Sequence, residues 1–478
     1  MSKTAAKPVI SLISLGCAKN TVDSERILGQ LVTAGFLIAE DPAEADVCLV
    51  NTCGFIHDAR EESAGVLKEL QKLKEQGRVK SVVALGCLVE RAHGAEELGQ
   101  YLTQADASIG FEDYPKLPEL IAELGHKKTP AKNDGVAVKI EDRRFQSRAT
   151  SASFAPSYNA FLTQPRLRTG LAHVAHLKIS EGCSNFCRFC SIPYIRGVQV
   201  SRPMEDIVAE SRQLIEMGAR EISLIAQDTT SYGRDIYGKF RLAELLRSLS
   251  ATANGEDIWF RLMYAFPRFL DEEMLDVLAS DPRFCPYIDM PLQHIAERML
   301  MNMGRGMGKR DTIRLLDLIA KKMPEGAIRT TFIVGYPGET DEEFAELLEF
   351  VKEGRFSHVG AFVYSKEPKT PSAQLDDNVP LAVKKSRRDE LMKAQRDVSR
   401  NRLKAFVGKS IDVMIDGPAP KGGTTPDGAR AVGRSRLEAT EVDGVIFVRG
   451  KAAARTEPGT VVSARVTASM DYDLVVDL

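Results

Sequence analysis

Glu181-Gly182-Cys183-Ser184-Asn185-Phe186-Cys187-Arg188-Phe189-Cys190 sets three cysteines at the spacing C-x3-C-x2-C, just after the apolar run His176-Leu177-Lys178-Ile179-Ser180. Three thiolates on one loop can grip three corners of a cubane iron-sulfur cluster. A fourth cysteine at matching spacing is missing, so the fourth iron is left open to a ligand. A closed zinc site would want a fourth Cys or His on the loop, yet the nearest histidines, His173 and His176, come before it. The stretch reads as a β-strand running into a metal-binding loop.

Working outward from the loop, a βα rhythm continues through six units. The predicted strands are His176 to Ser180, Glu221 to Ala226, Trp259 to Tyr264, Tyr287 to Met290, Arg329 to Val334 and His358 to Tyr364. Amphipathic runs lie between them, at Met204 to Met217, Leu242 to Ser250, Asp271 to Ala279, Asp311 to Met323 and Asp341 to Val351. Six units rather than eight predict a partial (βα)6 barrel, open on one side, whose site lies at the carboxyl ends of the strands. A long helix is expected over Leu381 to Lys404. After Phe406, short β runs at Ile411 to Ile415, Ala429 to Gly433, Gly444 to Val448, Thr460 to Thr467 and Tyr472 to Val476 read as a small antiparallel barrel.

Upstream, the first 125 residues alternate strand and helix: Val9 to Ile13, Thr21 to Ala34, Asp46 to Asn51, Ala59 to Glu75, Ser81 to Leu85, and a final helix at Leu117 to Leu124. This predicts a doubly wound α/β domain. Cys17, Cys53 and Cys87 each fall directly after one of its strands, and an open parallel sheet brings such carboxyl ends to one edge. Singly, each would read as a small buried hydrophobe. Their shared position makes them a second three-thiolate set, with the neighbouring glycines letting backbone approach a cofactor. Cys48, inside a strand, and Cys285, in a connecting loop before Pro286, are assigned to the core. His126 to Thr169 has the composition of a linker with solvated basic residues and one short strand at Val136 to Ile140. The expected domains are thus 8–125, a linker 126–168, a barrel 169–400 and a carboxyl-terminal domain 402–478.

Composition bounds the function. A chain of 478 residues has room for about three domains. A net charge of -2, with 27% charged residues, offers no global basic field for nucleic acid. Eight cysteines are too few for a secreted disulfide scaffold, and their clustering points to metal binding in a reducing, cytoplasmic compartment. Met1 to Ile13 precedes Leu15-Gly16-Cys17 in a faintly lipoprotein-like way, but its apolar run is too short for a signal. No later run is long enough to span a membrane. P-loop and serine-histidine-acid patterns are absent.

Three further strand ends carry candidate ligand contacts. Gly335-Tyr336-Pro337-Gly338-Glu339-Thr340 closes the fifth strand, with Thr340 and Glu343 forming a capping box for the next helix. Ala226-Gln227-Asp228-Thr229 closes the second strand and Pro291-Leu292-Gln293-His294 the fourth.

With Phe189 in its aromatic slot, the cysteine loop resembles the C-x3-C-x-aromatic-C signature of the radical S-adenosylmethionine enzymes. That resemblance implies a 4Fe-4S cluster on Cys183, Cys187 and Cys190, whose open iron chelates S-adenosylmethionine and which reduces it to a 5'-deoxyadenosyl radical. It also implies cofactor contacts from Phe189, Gln227, Gly335 and Gly338. The whole arrangement resembles the methylthiotransferases, with a TRAM domain at the carboxyl end. In that family residues matching Cys17, Cys53 and Cys87 hold an auxiliary 4Fe-4S cluster. The radical removes hydrogen from an unactivated carbon, sulfur carried at the auxiliary cluster is inserted, and a second S-adenosylmethionine methylates it. The clusters carry the chemistry, so no protein side chain is singled out as catalytic.

Leu15-Gly16-Cys17-Ala18-Lys19-Asn20-Thr21-Val22-Asp23-Ser24-Glu25, Asn51 to Ile56, Gly197 to Pro203 and Asp471-Tyr472-Asp473-Leu474 look like the branch acting on the β-carbon of an aspartate in protein twelve of the small ribosomal subunit. The branch acting on tRNA adenosine is the alternative, and Ala18-Lys19 departs from its Gly-Cys-Gln-Met-Asn pattern. Residues 405–478 hold nine Lys and Arg against ten Asp and Glu, a poor surface for tRNA phosphates and a suitable one for a basic ribosomal protein. RNA contact stays open. The implied partners are that protein, a reducing electron-transfer protein and a sulfur donor. A rival class, a non-enzymatic iron-sulfur or zinc nucleic-acid binder, predicts no S-adenosylmethionine cleavage and a basic face that the sequence lacks.

Overall fold

Val47–Thr52 and Ser81–Gly86 are buried along their whole length, the pattern of strands covered by helices on both faces. In the computed structural model, which describes residues 7–126 and 161–478, the chain divides into two compact units. The first comprises Met1–Thr169 with Glu181–Arg202 and Glu367–Ala373; the second comprises Gly170–Ser180, Pro203–Lys366 and Gln374–Leu478.

The first unit is a five-stranded parallel sheet of β1 (Val9–Ser14), β2 (Leu37–Ile38), β3 (Val47–Thr52), β4 (Ser81–Gly86) and β5 (Ala107–Ile109), in the order β2-β1-β3-β4-β5. Alternate residues of β3 point to opposite cores. Val47 and Leu49 pack with Ile27 and Leu31 of α1 (Ala18–Thr33) and Leu117 and Ile121 of α4 (Leu117–His126), while Cys48 and Val50 pack with Leu67 and Leu70 of α2 (His57–Glu75). Cys48 is therefore a core thiol, as expected. A short α3 (Cys87–Ala92) follows β4 directly.

Two strands of this sheet were not foreseen, because β2 and β5 have only two and three residues and carry too little pattern to register. Helix α1 also starts a turn earlier than Thr21, since Cys17 is its N-cap and the amides of Asn20 and Thr21 donate to the Cys17 carbonyl. The strand expected at Val136 to Ile140 lies outside the described residues. The end of the expected linker is not solvated: Phe161 and Leu162 are buried in the first core. Arg166 pairs with Glu25 of α1 at 2.5 Å, both almost fully buried.

The second unit contains six parallel strands in sequence order: β6 (Val174–Lys178), β7 (Glu221–Ile225), β8 (Trp259–Leu262), β9 (Phe284–Asp289), β10 (Ala327–Val334) and β11 (His358–Val363). Among the described residues β6 and β11 are the two edges, so the barrel is partial, as predicted. Cys285 requires a correction: it lies within β9, fully buried, not in a loop. Pro286 obscured this strand, and the β8–β9 register shifts around it, since proline cannot donate to a ladder.

The chain then passes through the long helix Leu381–Lys404 to a closed barrel of β12 (Ser410–Pro418), β13 (Ala429–Arg434), β14 (Ile446–Arg449), β15 (Val461–Ser469) and β16 (Leu474–Asp477), in the order β12-β13-β14-β16-β15. One pairing departs from the antiparallel expectation: β14 and β16 run parallel.

This small barrel covers the amino ends of the parallel strands. Glu221, the first residue of β7, accepts from Arg261 Nε at 2.7 Å and from Arg434 Nη1 at 2.5 Å, all three being buried. Asp443 accepts from Tyr287 Oη at 2.7 Å and from Arg329 Nε at 3.3 Å. Polar groups at this end are thus spent on structure, and the carboxyl ends are left for ligands.

Candidate metal centre

The order β2-β1-β3-β4-β5 reverses its direction of winding between β1 and β3, and ligands of such sheets lie beyond the carboxyl ends at that switch. Cys17 follows β1, Cys53 follows β3, and Cys87 follows β4. A Cβ on Gly16 would stand 3.1 Å from Cys53 Sγ, and one on Gly54 would stand 2.7 Å from Leu88 Cα. A Cβ on Gly86 would meet the Thr52 carbonyl oxygen at 2.9 Å. These glycines let three strand-end loops touch one another, which draws the cysteines together.

Asn20 ties the loops. It is buried, its Nδ2 donates to the Leu15 carbonyl at 2.8 Å and the Thr52 carbonyl at 3.1 Å, and the Cys87 thiol lies 3.5 Å from its Oδ1. Arg196, on the short helix α5 (Ile192–Arg196), reaches the same point. Its Nε and Nη2 lie 3.3 and 3.1 Å from Cys87 Sγ, Nη2 donates to Asn20 Oδ1 at 2.6 Å, and Nη1 donates to Asp23 and Glu181 at 3.0 and 2.9 Å.

The three thiols differ electrostatically. Cys17 is exposed by its accessible area, though densely ringed by protein. Desolvation opposes its ionisation, but the charges of Lys19 and Arg196 and the amides of Asn20 and Lys19 outweigh that and lower its pKa. Its place at the head of α1 favours the thiolate as well. Burial raises Cys53 and pushes Cys87 up to about 12, with Arg196 opposing the shift in both. Cys17 and Cys53 both act on Cys87, as neighbours around one space must. By contrast, burial pushes the core thiols Cys48 and Cys285 up to about 12 and 11, with no gathering of other cysteines about them.

The loop triad lies in the same unit. Cys183 N donates to the Gly197 carbonyl at 3.1 Å and Cys190 N to the Cys187 carbonyl at 3.0 Å, while Gln199 N donates to Ser184 Oγ at 3.1 Å. Gly182 has φ +74°, and a Cβ there would fall 2.2 Å from the Val198 carbonyl oxygen. Phe186 (φ +49°) also takes left-handed backbone, rare for an aromatic residue, and turns the chain between Cys183 and Cys187. Cys187 is buried; Cys183, Phe189 and Cys190 are half-buried.

Loops bearing the two triads are joined. Ser191 Oγ donates to the Phe55 carbonyl at 3.3 Å, and Arg91 Nη1 donates to the Gly54 and Phe55 carbonyls at 2.6 and 3.0 Å. Arg91 and Arg60 share Glu367 at 2.7 and 2.6 Å, and all three are buried. Sequence reasoning missed Asn20, Arg60, Arg91, Arg196 and Glu367. Asn20 and Arg196 lie close to cysteines and were within reach; Glu367 has no local signal at all.

In the second unit, Asp228 is turned inward, accepting from Thr230 N and Oγ1 at 2.9 and 2.6 Å, and Gln227 beside it is half-buried. The Gly335 amide donates to Glu339 at 2.7 Å and the Gly338 amide to Asn378 at 2.8 Å. The turn thus spends both amides internally; a Cβ on Gly335 would fall 2.2 Å from Lys384 Cγ, so the missing side chain there makes room for Lys384, while one on Gly338 would come no nearer than 3.8 Å to Arg298 Nη1. His294 accepts from the Ala296 amide at Nδ1, so its Nε2 carries the proton toward Glu339 at 3.0 Å. The capping box of Thr340 and Glu343 is formed as read from the sequence.

Comparison with known proteins decides the family. The chain is 40% identical over 469 residues to the ribosomal protein uS12 methylthiotransferase RimO of Anaeromyxobacter sp. (strain Fw109-5), covering 98% of this chain and 92% of that protein. It is 42% identical over 472 residues to RimO of Synechococcus sp. (strain RCC307), covering 98% and 90%. The chain belongs to the RimO family. Residues 177–351 match the radical SAM superfamily, residues 9–110 the uncharacterized protein family UPF0004, and residues 407–478 the TRAM domain. The radical S-adenosylmethionine methyltransferase TsrM from Kitasatospora setae shares the fold, with a TM-score of 0.53 at 14% identity over 86% of this chain and 79% of that one. This RimO-family protein is a radical S-adenosylmethionine methylthiotransferase.

The residues of the first unit suit the iron-sulfur groups that this family implies. Among the described residues, no three His, Cys, Asp or Glu side chains gather as ligands of one metal ion. The sheet-edge thiols stand close enough to act on one another electrostatically. Lys19 and Arg196 supply the positive field that an anionic thiolate cluster needs. Among the described residues no helix is long and apolar enough to cross a membrane.

Proposed function

We propose that the protein methylthiolates the β-carbon of an aspartate in ribosomal protein uS12, with Cys183, Cys187 and Cys190 holding the radical cluster and Cys17, Cys53 and Cys87 the auxiliary one. The cofactors are two 4Fe-4S clusters and S-adenosylmethionine, which together supply hydrogen abstraction, a sulfur atom and a methyl group. The observation that carries this reading is the gathering of both thiol triads into one compact unit, with their loops bonded through Ser191, Phe55 and Arg91. The substrate follows from the names of the full-length relatives.

Within that scheme the chain's own residues position and exclude. Arg91, Arg60 and Glu367 lock the Cys53 loop beside Cys190. Phe189 lies on the radical loop, and Gln227, Gly335 and Gly338 are the proposed S-adenosylmethionine contacts at the strand ends. An electron-transfer protein as reductant and a separate sulfur donor complete the scheme as partners. The near balance of charge over residues 405–478 suits a basic ribosomal protein.

The test is anaerobic reconstitution, reduction with dithionite, and incubation with S-adenosylmethionine and a peptide spanning the target loop of uS12. A mass gain of one methylthio group on aspartate is expected. 5'-Deoxyadenosine without peptide modification would overturn the substrate and direct the same assay to tRNA.

A further inference from the structure

Arg196 belongs to the chain segment that carries the radical cysteines, six residues beyond Cys190, yet its guanidinium is committed to the other triad. Its Nη1 edge is anchored by Asp23 and Glu181, and Phe111 lies 4.6 Å from the guanidinium, ring to carbon. The opposite edge, Nε and Nη2, forks onto Cys87 Sγ at 3.3 and 3.1 Å. Arg196, Asp23, Glu181, Cys87 and Phe111 are all buried, so water does not compete for these N–H groups.

Five groups, Asp23, Glu181, Asn20, Cys87 and Phe111, holding one planar cation in a fixed orientation is more than packing needs. Burying an arginine is costly, and the cost falls only when each face and edge has a partner. Here the carboxylates and the ring fix the plane, and the remaining edge, Nε and Nη2, faces the sulfur, with Nη2 also donating to Asn20 Oδ1 at 2.6 Å. Donors to a ligating thiolate stabilise the more negative, reduced form of an iron-sulfur cluster and so raise its potential.

We propose that Arg196 is a positioning residue that sets the reduction potential of the auxiliary cluster from within the radical-cluster segment. The two clusters need different potentials, because one must deliver an electron to S-adenosylmethionine while the other carries sulfur. The fork on Cys87 acts on a ligand of the auxiliary triad. The inference rests on the assignment of Cys87 as an auxiliary-cluster ligand.

The test uses the reconstituted full-length holoenzyme with both clusters loaded, their midpoint potentials followed separately by EPR during a redox titration. Iron and sulfide content of the unmodified protein comes first: a protein that loads only one cluster refutes the ligand assignment itself. With two clusters present, Arg196→Gln is expected to lower the auxiliary potential while leaving that of the radical cluster in place. Arg196→Lys keeps the charge but loses the fork, so an intermediate shift is expected. An unchanged auxiliary potential in Arg196→Gln, equal shifts of both clusters, or loss of the auxiliary cluster from both variants would overturn the proposal in favour of a purely structural role.

Discussion

The two thiol triads are built in opposite ways. Cys183, Cys187 and Cys190 sit on one loop, where their spacing is a local property of the chain. Cys17, Cys53 and Cys87 sit on three loops and meet only because a parallel sheet aligns β1, β3 and β4 and because Gly16, Gly54 and Gly86 let those loops touch. A loop triad depends on its neighbours in sequence; a sheet-edge triad depends on the register and packing of the whole first unit. The first can be lost by changing the loop, the second by changing residues that never meet a metal.

The sharpest way to break the comparison is to remove one cluster at a time. Cys187→Ala should halve the bound iron and reduce 5'-deoxyadenosine formation to background, read by chromatography of quenched reactions. Cys17→Ala should also halve the iron and abolish methylthiolated peptide, yet leave S-adenosylmethionine cleavage. Loss of cleavage in a folded protein whose remaining cluster is intact would refute this division of roles.

Glu221→Gln addresses a site with no thiol ligand. Burial would raise the Glu221 pKa, but Arg261 and Arg434 outweigh it and the net shift is downward. Its stabilisation is therefore fully present above the ordinary glutamate value of 4.5 and is lost as pH falls through the depressed folded value. The variant leaves two buried guanidinium groups undercompensated, at a cost of about 3–5 kcal/mol near neutral pH. Denaturant unfolding should show that loss, together with a weaker acid dependence below pH 4.5 than the unmodified protein, and unchanged iron content.

Gly54→Ala sharpens the comparison most finely. The new methyl would meet backbone of Leu88 at 2.7 Å, a strain worth about 1–3 kcal/mol. It should weaken loading of the auxiliary cluster and spare the radical one, measured as iron per chain and by EPR. Equal loss of both would show that the two triads are not separately built.

Much of this was legible in the chain. The C-x3-C-x2-C loop, the six βα units, the strand-end placement of Cys17, Cys53 and Cys87, and the Thr340 capping box all follow from spacing and periodicity, which report local structure directly. Strand β9 was blurred by Pro286, and β2 and β5 were too short to show a period. The close contacts of Gly16, Gly54 and Gly86 with neighbouring loops were not legible, since a sequence shows that side chains are missing and not what fills the room.

Sequence alone determined which residues are the candidates: six clustered thiols, the aromatic at Phe189, and the glycine turn at Gly335 and Gly338. Tertiary structure decided which groups surround them. Arg196 on Cys87, Asn20 across three loops, and Arg60 and Arg91 on Glu367 join residues far apart in the chain. A buried ion pair has no period and no required spacing; it exists only where the fold brings opposite charges out of water together.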